Sequence, residues 1–482
     1  MQRKTILLVN PNFMRPPIGP IGLEYVASDL AWRGFDPVLC DLAFAADWRL
    51  ALADAVEQTK PAAIGVSVRN IDDAYFASQD FVLETTAAVV QEVAALSNAP
   101  VVLGGVGFST APHDILEYTG ADHGIVGEGE TAFAALLDCL EAGGDASKVP
   151  GAVVRTAAGR VVVMPASPSR LDTLPTPSRT FAANPRYFEE GGQSGIETKR
   201  GCNRTCIYCP EPYAKGRTLR LRSPESVADE FATLLDQGID VAHLCDSEFN
   251  LPTDHAREVC DTLVRRGIPS RFRWYTYACP RPFDTDLAER MARAGCVGVD
   301  FGVDHGDPEM LRRLGRDYGP GQLRSVARAC RKAGLIFMFD LLLGGPGETH
   351  DSIRRCIDLM REIGPDRVGL SCGVRVYPNT PLARMVRGQG PLAANPNLHG
   401  ATADNETLLK PIFFVDKAID ADIHEFVWSL VKDDRRFLAA DPTDKDRNYN
   451  YNDNSVLANA IRAGARGAYW DILRRLDDAS FG

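Results

Sequence analysis

The chain has 482 residues, of which 45% are hydrophobic and 24% charged, with a formal net charge of -11. That length implies two or three domains of ordinary globular composition. No run of about 18 apolar residues occurs, which excludes a membrane-spanning helix, and the acidic balance speaks against nucleic acid as a partner.

Residues 1–145 alternate short apolar runs with helical stretches. Runs at 5–9, 37–40, 64–68, 101–103 and 124–126 read as buried strands. Residues 22–33, with Leu23, Val26, Ala27 and Leu30 on one face, and residues 81–96 read as helices. This alternation predicts a doubly wound, Rossmann-like parallel sheet with ligands beyond the carboxyl ends of its strands. Residues 146–190 form a connector: a small hairpin turning at 157–159, then a proline-rich stretch that admits neither helix nor central strand.

Between 191 and 385 the alternation resumes in six rounds. Strands are expected at 195–198, 241–244, 272–277, 297–301, 336–342 and 368–370, with a helix after each of the first five. Six such rounds predict a partial (β/α)6 barrel of TIM type, whose chemistry sits just after each strand. Residues 386–482 read as a mainly helical capping region, with helices at 419–432 and 455–476 around the polar run 441–454.

Nine of the twelve cysteines are scattered and read as small buried apolar residues. With no export signal before the first strand, a reducing cytoplasmic setting is expected. The other three stand together, directly after the first barrel strand, in Gly201-Cys202-Asn203-Arg204-Thr205-Cys206-Ile207-Tyr208-Cys209-Pro210. Thiolates with three and two residues between them can wrap one face of an iron–sulfur cube and leave the fourth iron open. The competing ligand is zinc, which wants a fourth Cys or His at a recognisable spacing, and none is near.

This loop resembles the Cys-x3-Cys-x-aromatic-Cys signature of the radical S-adenosylmethionine (SAM) superfamily. The resemblance implies a 4Fe-4S cluster on Cys202, Cys206 and Cys209 whose open iron chelates SAM. It also implies Tyr208 near the adenine and an external electron donor of flavodoxin or ferredoxin type. Asp246 and Glu248, in Cys245-Asp246-Ser247-Glu248, resemble the acidic motif for the SAM amino group; Asp246 reads equally well as a helix cap. Asp304 stands where many relatives carry a ribose-contacting Glu, and His305 beside it is a candidate acid or base. Gly345-Pro346-Gly347-Glu348-Thr349 resembles the family's glycine–proline turn into a helix.

Residues 1–145 resemble the cobalamin-binding domain that precedes this barrel in many members. The matching pieces are Gly19 and Gly22 after the first strand, Ser67 ending the third, Gly104 and Gly105 after the fourth, and Gly127, Glu128 and Gly129 after the fifth. The Asp-x-His-x-x-Gly pattern that supplies a lower histidine ligand is absent, so the resemblance implies cobalt without one. Arg69 would then lie under the corrin, as in tryptophan C-methyltransferases of this class; the alternative is an interdomain Arg paired with Asp72 or Asp73. Together these features imply a methyltransferase that moves a methyl from SAM, through methylcobalamin, to a carbon of a small-molecule substrate. A cobalamin-dependent rearrangement or cyclisation enzyme and a non-catalytic iron–sulfur sensor are the alternatives.

Overall fold

Short β-branched runs bounded by turns build the first sheet. The computed structural model describes residues 3–156, 158–419, 422–439, 446 and 453–479; most of the polar run 441–454 lies outside these. The strands of this sheet are β1 (Thr5–Asn10), β2 (Asp36–Asp41), β3 (Ala63–Ser67), β4 (Val101–Gly104), β5 (His123–Ile125), β6 (Ala152–Arg155) and β7 (Val161–Val163). Their order is β2-β1-β3-β4-β5-β6-β7. The first five are parallel, and β6 and β7 add antiparallel. The hairpin assigned by sequence to the connector is therefore an extension of this sheet, because β6 completes the hydrogen bonds that β5 would otherwise leave open.

Alternate residues of each strand pack to opposite faces. Leu7, Val9, Ile64 and Val66 meet Val89, Val90 and Ile115 on one side. Ile6, Leu8 and Ile125 meet Leu23, Leu30 and Leu136 on the other. The order 2-1-3-4-5 reverses direction between β1 and β3, and that switch point is where such sheets bind ligands.

The remaining strands are β8 (Ser194–Ile196), β9 (Lys199–Arg200), β10 (Arg220–Leu221), β11 (Val241–Leu244), β12 (Arg273–Ala278), β13 (Cys296–Asp304), β14 (Ile336–Leu343), β15 (Arg367–Cys372), β16 (Val374–Arg375), β17 (Leu398–Gly400), β18 (Ile412–Phe414) and β19 (Phe437–Ala439). The second large sheet runs β19-β15-β14-β13-β12-β11-β8 and is parallel throughout. The six expected barrel strands are present, and a seventh, β19, joins from the C-terminal region. On the outer face Trp274, Val299, Phe301, Phe337 and Phe339 pack under the helices. On the inner face Val241, Tyr275 and Met338 pack against Leu457, Ile461 and Trp470 of the C-terminal helices.

The final helix expected over 455–476 is two, Ser455–Arg462 and Tyr469–Ala479. They part at Gly464 and Gly467, whose φ values of +101° and +129° no helix accommodates. The helix expected over 419–432 is observed as Ile423–Val431. Among the described residues no helix is long and apolar enough to cross a membrane.

Charged groups join the two sheets. Arg179 of the connector binds Glu24 from the helix after β1 (2.8 Å) and Glu230 from the helix after β10 (2.7 Å), all three at most 2% exposed. Arg222 and the Tyr25 hydroxyl also reach Glu230. A second clasp pairs Arg375 of β16 with Asp72 after β3 at 2.6 Å.

Candidate active site

The cysteine loop leaves β9 and is pinned by backbone bonds. Cys202 donates its N–H to Gly216 O (3.0 Å), Ile207 to Leu314 O (3.1 Å), and Leu382 to Ile207 O (2.9 Å). All three thiols are free and close enough to act on one another's charge. Burial raises each above the ordinary thiol range, Cys206 to about 12. They remain protonated until a metal draws the protons off. Among the described residues no three Cys, His, Asp or Glu side chains converge as a single metal ion requires. Three free thiols near enough to act on one another's charge, with no fourth Cys or His in the loop, fit three irons of a cube.

Around this loop the strand ends supply charge. Tyr208 donates its hydroxyl to both oxygens of Asp304 (2.8 and 2.7 Å), and Arg316 clamps the same carboxylate through Nε (2.6 Å) and Nη2 (2.8 Å). Asp304 and Tyr208 are thus locked to each other at the end of β13. Arg316 also comes within 4.0 Å of Glu248. Burial lifts the Glu248 carboxyl to about 7, with Arg316 opposing. Asp246, two residues earlier, is fully engaged: it accepts from Thr198 N and Oγ1 and from Lys199 Nζ (3.0 Å). These partners, Lys199 first, outweigh burial and hold its carboxyl below the usual range. Asp246 therefore ties β11 to the segment entering the cysteine loop, while Glu248, its side chain 13% exposed, is the acid left without a close partner.

His305 is fully buried. Its Nδ1 accepts the Asp307 N–H (2.9 Å) and its Nε2 lies 3.2 Å from Glu348. Burial opposes its charge and Cys356 and Glu348 favour it; with Nδ1 accepting a backbone N–H, the ring is neutral and its proton sits on Nε2, facing Glu348. His305 and Glu348 stitch two strand-end loops together and have no path to a substrate. Arg316, which links three of the expected residues, was missed from sequence; it sits twelve residues past Asp304 with no motif around it.

In the first domain, Ser67, Gly104, Gly105 and Gly127 gather at the carboxyl ends of neighbouring strands β3, β4 and β5. Gly105 has φ +102°, and a Cβ there would lie 2.6 Å from Val68 O, so only glycine fits. Gly22 opens on free space, Gly19 lies against the Tyr187 ring, and Gly129 against Val26. Glu128 is drawn into the domain junction, where it binds Arg220 and the Ser169 N–H (2.7 Å). Arg69 leaves β3 at the switch point. Asp72 and Asp73, its alternative partners, are taken by Arg375 and Tyr377 and by Ser78. Arg69 reaches Met14 Sδ at 3.2 Å, after β1. Its surface is exposed, yet the groups acting on its charge are Cys245 and Tyr277 of the barrel and Tyr469 of the last helix. Arg69 therefore sits at the junction of the two domains, where burial lowers its pKa. Tyr277, one of those groups, is 46% exposed on the inner face of β12. Glycine-rich strand ends that let the backbone approach closely, with the exposed Arg69 beside them, fit a corrin bound over this end of the sheet.

The radical SAM superfamily model matches residues 196–369, and the B12 binding domain model matches residues 15–137. The tryptophan 2-C-methyltransferase of Streptomyces laurentii is 31% identical, over 98% of this chain and 96% of that one. The cytidylyl-2-hydroxyethylphosphonate methyltransferase of Streptomyces wedmorensis is 24% identical over 72% and 73%. TsrM from Kitasatospora setae, solved with tryptophan and the SAM analogue aza-SAM, superposes with a TM-score of 0.92 at 30% identity, covering 99% of this chain and 98% of that one. The same enzyme with cobalamin and a [4Fe-4S] cluster gives 0.90 at 29% identity over the full length of both. With both domains in this order and a likeness spanning nearly the whole chain, the protein belongs to the cobalamin-dependent radical SAM methyltransferases.

Proposed function

We propose that this enzyme methylates an indole carbon of tryptophan or a closely similar indolyl amino acid. The observation that carries the reading is 31% identity, over 98% of the chain, to a tryptophan 2-C-methyltransferase. In this reading Cys202, Cys206 and Cys209 hold the cluster and leave one iron for SAM. Glu248 receives the SAM ammonium, and Asp304, its carboxylate taken up by Tyr208 and Arg316, holds those two side chains in place on the ribose side. Ser67, Gly104, Gly105 and Gly127 let the backbone approach the corrin. Arg69 faces the cobalt: a guanidinium stays protonated and offers no lone pair, so it keeps the lower face free of a ligand. When bound, cobalamin supplies a methyl carrier and the cluster an electron-transfer and SAM-binding site. The barrel walls exclude water, and a donor of flavodoxin or ferredoxin type delivers electrons from outside.

The test is anaerobic reconstitution with about four irons and one cobalamin per chain, followed by incubation with methyl-labelled SAM and tryptophan. One labelled methyl on the indole ring is expected. Fully loaded enzyme that leaves tryptophan unlabelled rules the substrate out. In the same preparation, Cys202→Ala, Cys206→Ala and Cys209→Ala together abolish iron retention, and Arg69→His, by offering a ring nitrogen, shifts the cobalt absorption bands.

A further inference from the structure

The inner face of the barrel carries two carboxylates that none of the roles above uses. Asp300 of β13 alternates with Val299 and Phe301, and Asp340 of β14 with Phe339 and Leu341; those four pack into the outer core, so both acids point inward. Asp300 stands opposite Met338 in the register, and Asp340 opposite Gly302 on one side and Gly369 on the other. At the level of Asp340 neither neighbouring strand contributes a side chain, which leaves room beside the acids. Asp300 is 3% exposed, and its Oδ1 has no hydrogen-bond partner. The charged groups acting on it are Asp340 and Glu248, both acidic. Beside them lie Tyr277 and His243, ring centroids 4.5 Å apart and tilted by 50°. Burial lowers His243 to about 4, so this ring pair is uncharged at neutral pH.

A buried carboxyl with an unused acceptor, next to a second acid, is costly in the ligand-free protein. Burial, then Asp340, raises the Asp300 carboxyl well above its usual range. A cation entering the cavity removes that cost, because it satisfies the open acceptor and offsets the repulsion between the acids.

We propose that Asp300 and Asp340 recognise the primary ammonium of the substrate, with its aromatic ring laid along Tyr277 and His243. This assignment rests on the reading of the substrate as an indolyl amino acid. A primary ammonium carries three donors and can bridge two carboxylates. The pair would therefore select the amino acid over an indole that lacks the amine, and would set the ring's position relative to the methyl donor without taking part in bond making.

The test is calorimetric binding to the reconstituted holoenzyme, with tryptophan and with indole-3-propionate, which is tryptophan without its amino group. Wild type is expected to bind tryptophan about ten- to a hundred-fold more tightly, the range of a hydrogen bond to a charged group. Asp300→Asn is expected to remove most of that preference by weakening tryptophan and leaving indole-3-propionate within about twofold, and Asp340→Asn to act in the same direction. Equal affinity of wild type for the two ligands overturns the proposal while leaving the substrate reading intact, and it needs no variant to fold. Variants that weaken both ligands alike also overturn it. If loaded wild type binds no tryptophan at all, the substrate reading and this assignment fall together.

Discussion

Asp246 and Glu248 stand two residues apart after β11 and meet opposite fates. Asp246 is surrounded by donors from Thr198 and Lys199, whereas Glu248 has a single cation at 4.0 Å and a carboxyl lifted to about 7. Its negative charge is present above that pH and lost below it, so attraction for the SAM ammonium falls as the solution turns acid. SAM affinity, measured by equilibrium binding between about pH 6 and about pH 8, should weaken by up to about tenfold per unit on the acid side, and Glu248→Gln should flatten the slope. A wild-type affinity constant across that interval would remove Glu248 from the SAM site. The acidic motif was legible in the sequence as a motif, but the division of labour inside it was not. It depends on Thr198 and Lys199, almost fifty residues earlier, and on Arg316, nearly seventy later.

The strands and helices that flank the site are joined by buried charge as well as by apolar packing. Arg179 belongs to the proline-rich connector, where its sequence surroundings mark it as nothing more than a loop residue. In the fold it neutralises Glu24 and Glu230, carboxylates from the two domains. Replacing it with Met leaves buried Glu24 without a cation and Glu230 with Arg222 alone, and breaking such a buried pair costs about 3–5 kcal/mol. A drop of that order in unfolding free energy, read from the denaturant midpoint, is expected. Arg170, whose pairing with Asp172 is exposed, should be replaceable by Ala with no measurable change. Equal effects of the two substitutions would deny the junction its role. Element boundaries were legible because period-2 and period-3.6 patterns are local. The clasp was not, because an ion pair leaves no periodicity.

At the scale of the whole molecule, the C-terminal region does more than cover the barrel mouth. It returns to add β19 beside β15 and sends Trp470, 2% exposed, into the barrel interior against Tyr275 and Gly298. The Tyr275 hydroxyl donates to Asp471 of the same helix at 2.8 Å. Trp470→Ala opens a cavity there and should cost about 3–5 kcal/mol, visible as a lower thermal midpoint. A midpoint equal to wild type would mean that the barrel closes without it. By itself the sequence determined two parallel α/β units in order, the cysteine loop after the first barrel strand, and glycines at the strand ends of the first domain. Those features are written in local residue patterns and in chain order. Only the tertiary structure decided which acid is spent on Lys199 and which is left without a close partner, that Arg69 is released from Asp72 and Asp73, and that Asp300 and Asp340 share the inner face of adjacent strands. These outcomes turn on strand register and on which distant charges the fold brings into contact. A one-residue change of register would turn every inner-face side chain of a strand outward, and no local pattern records it.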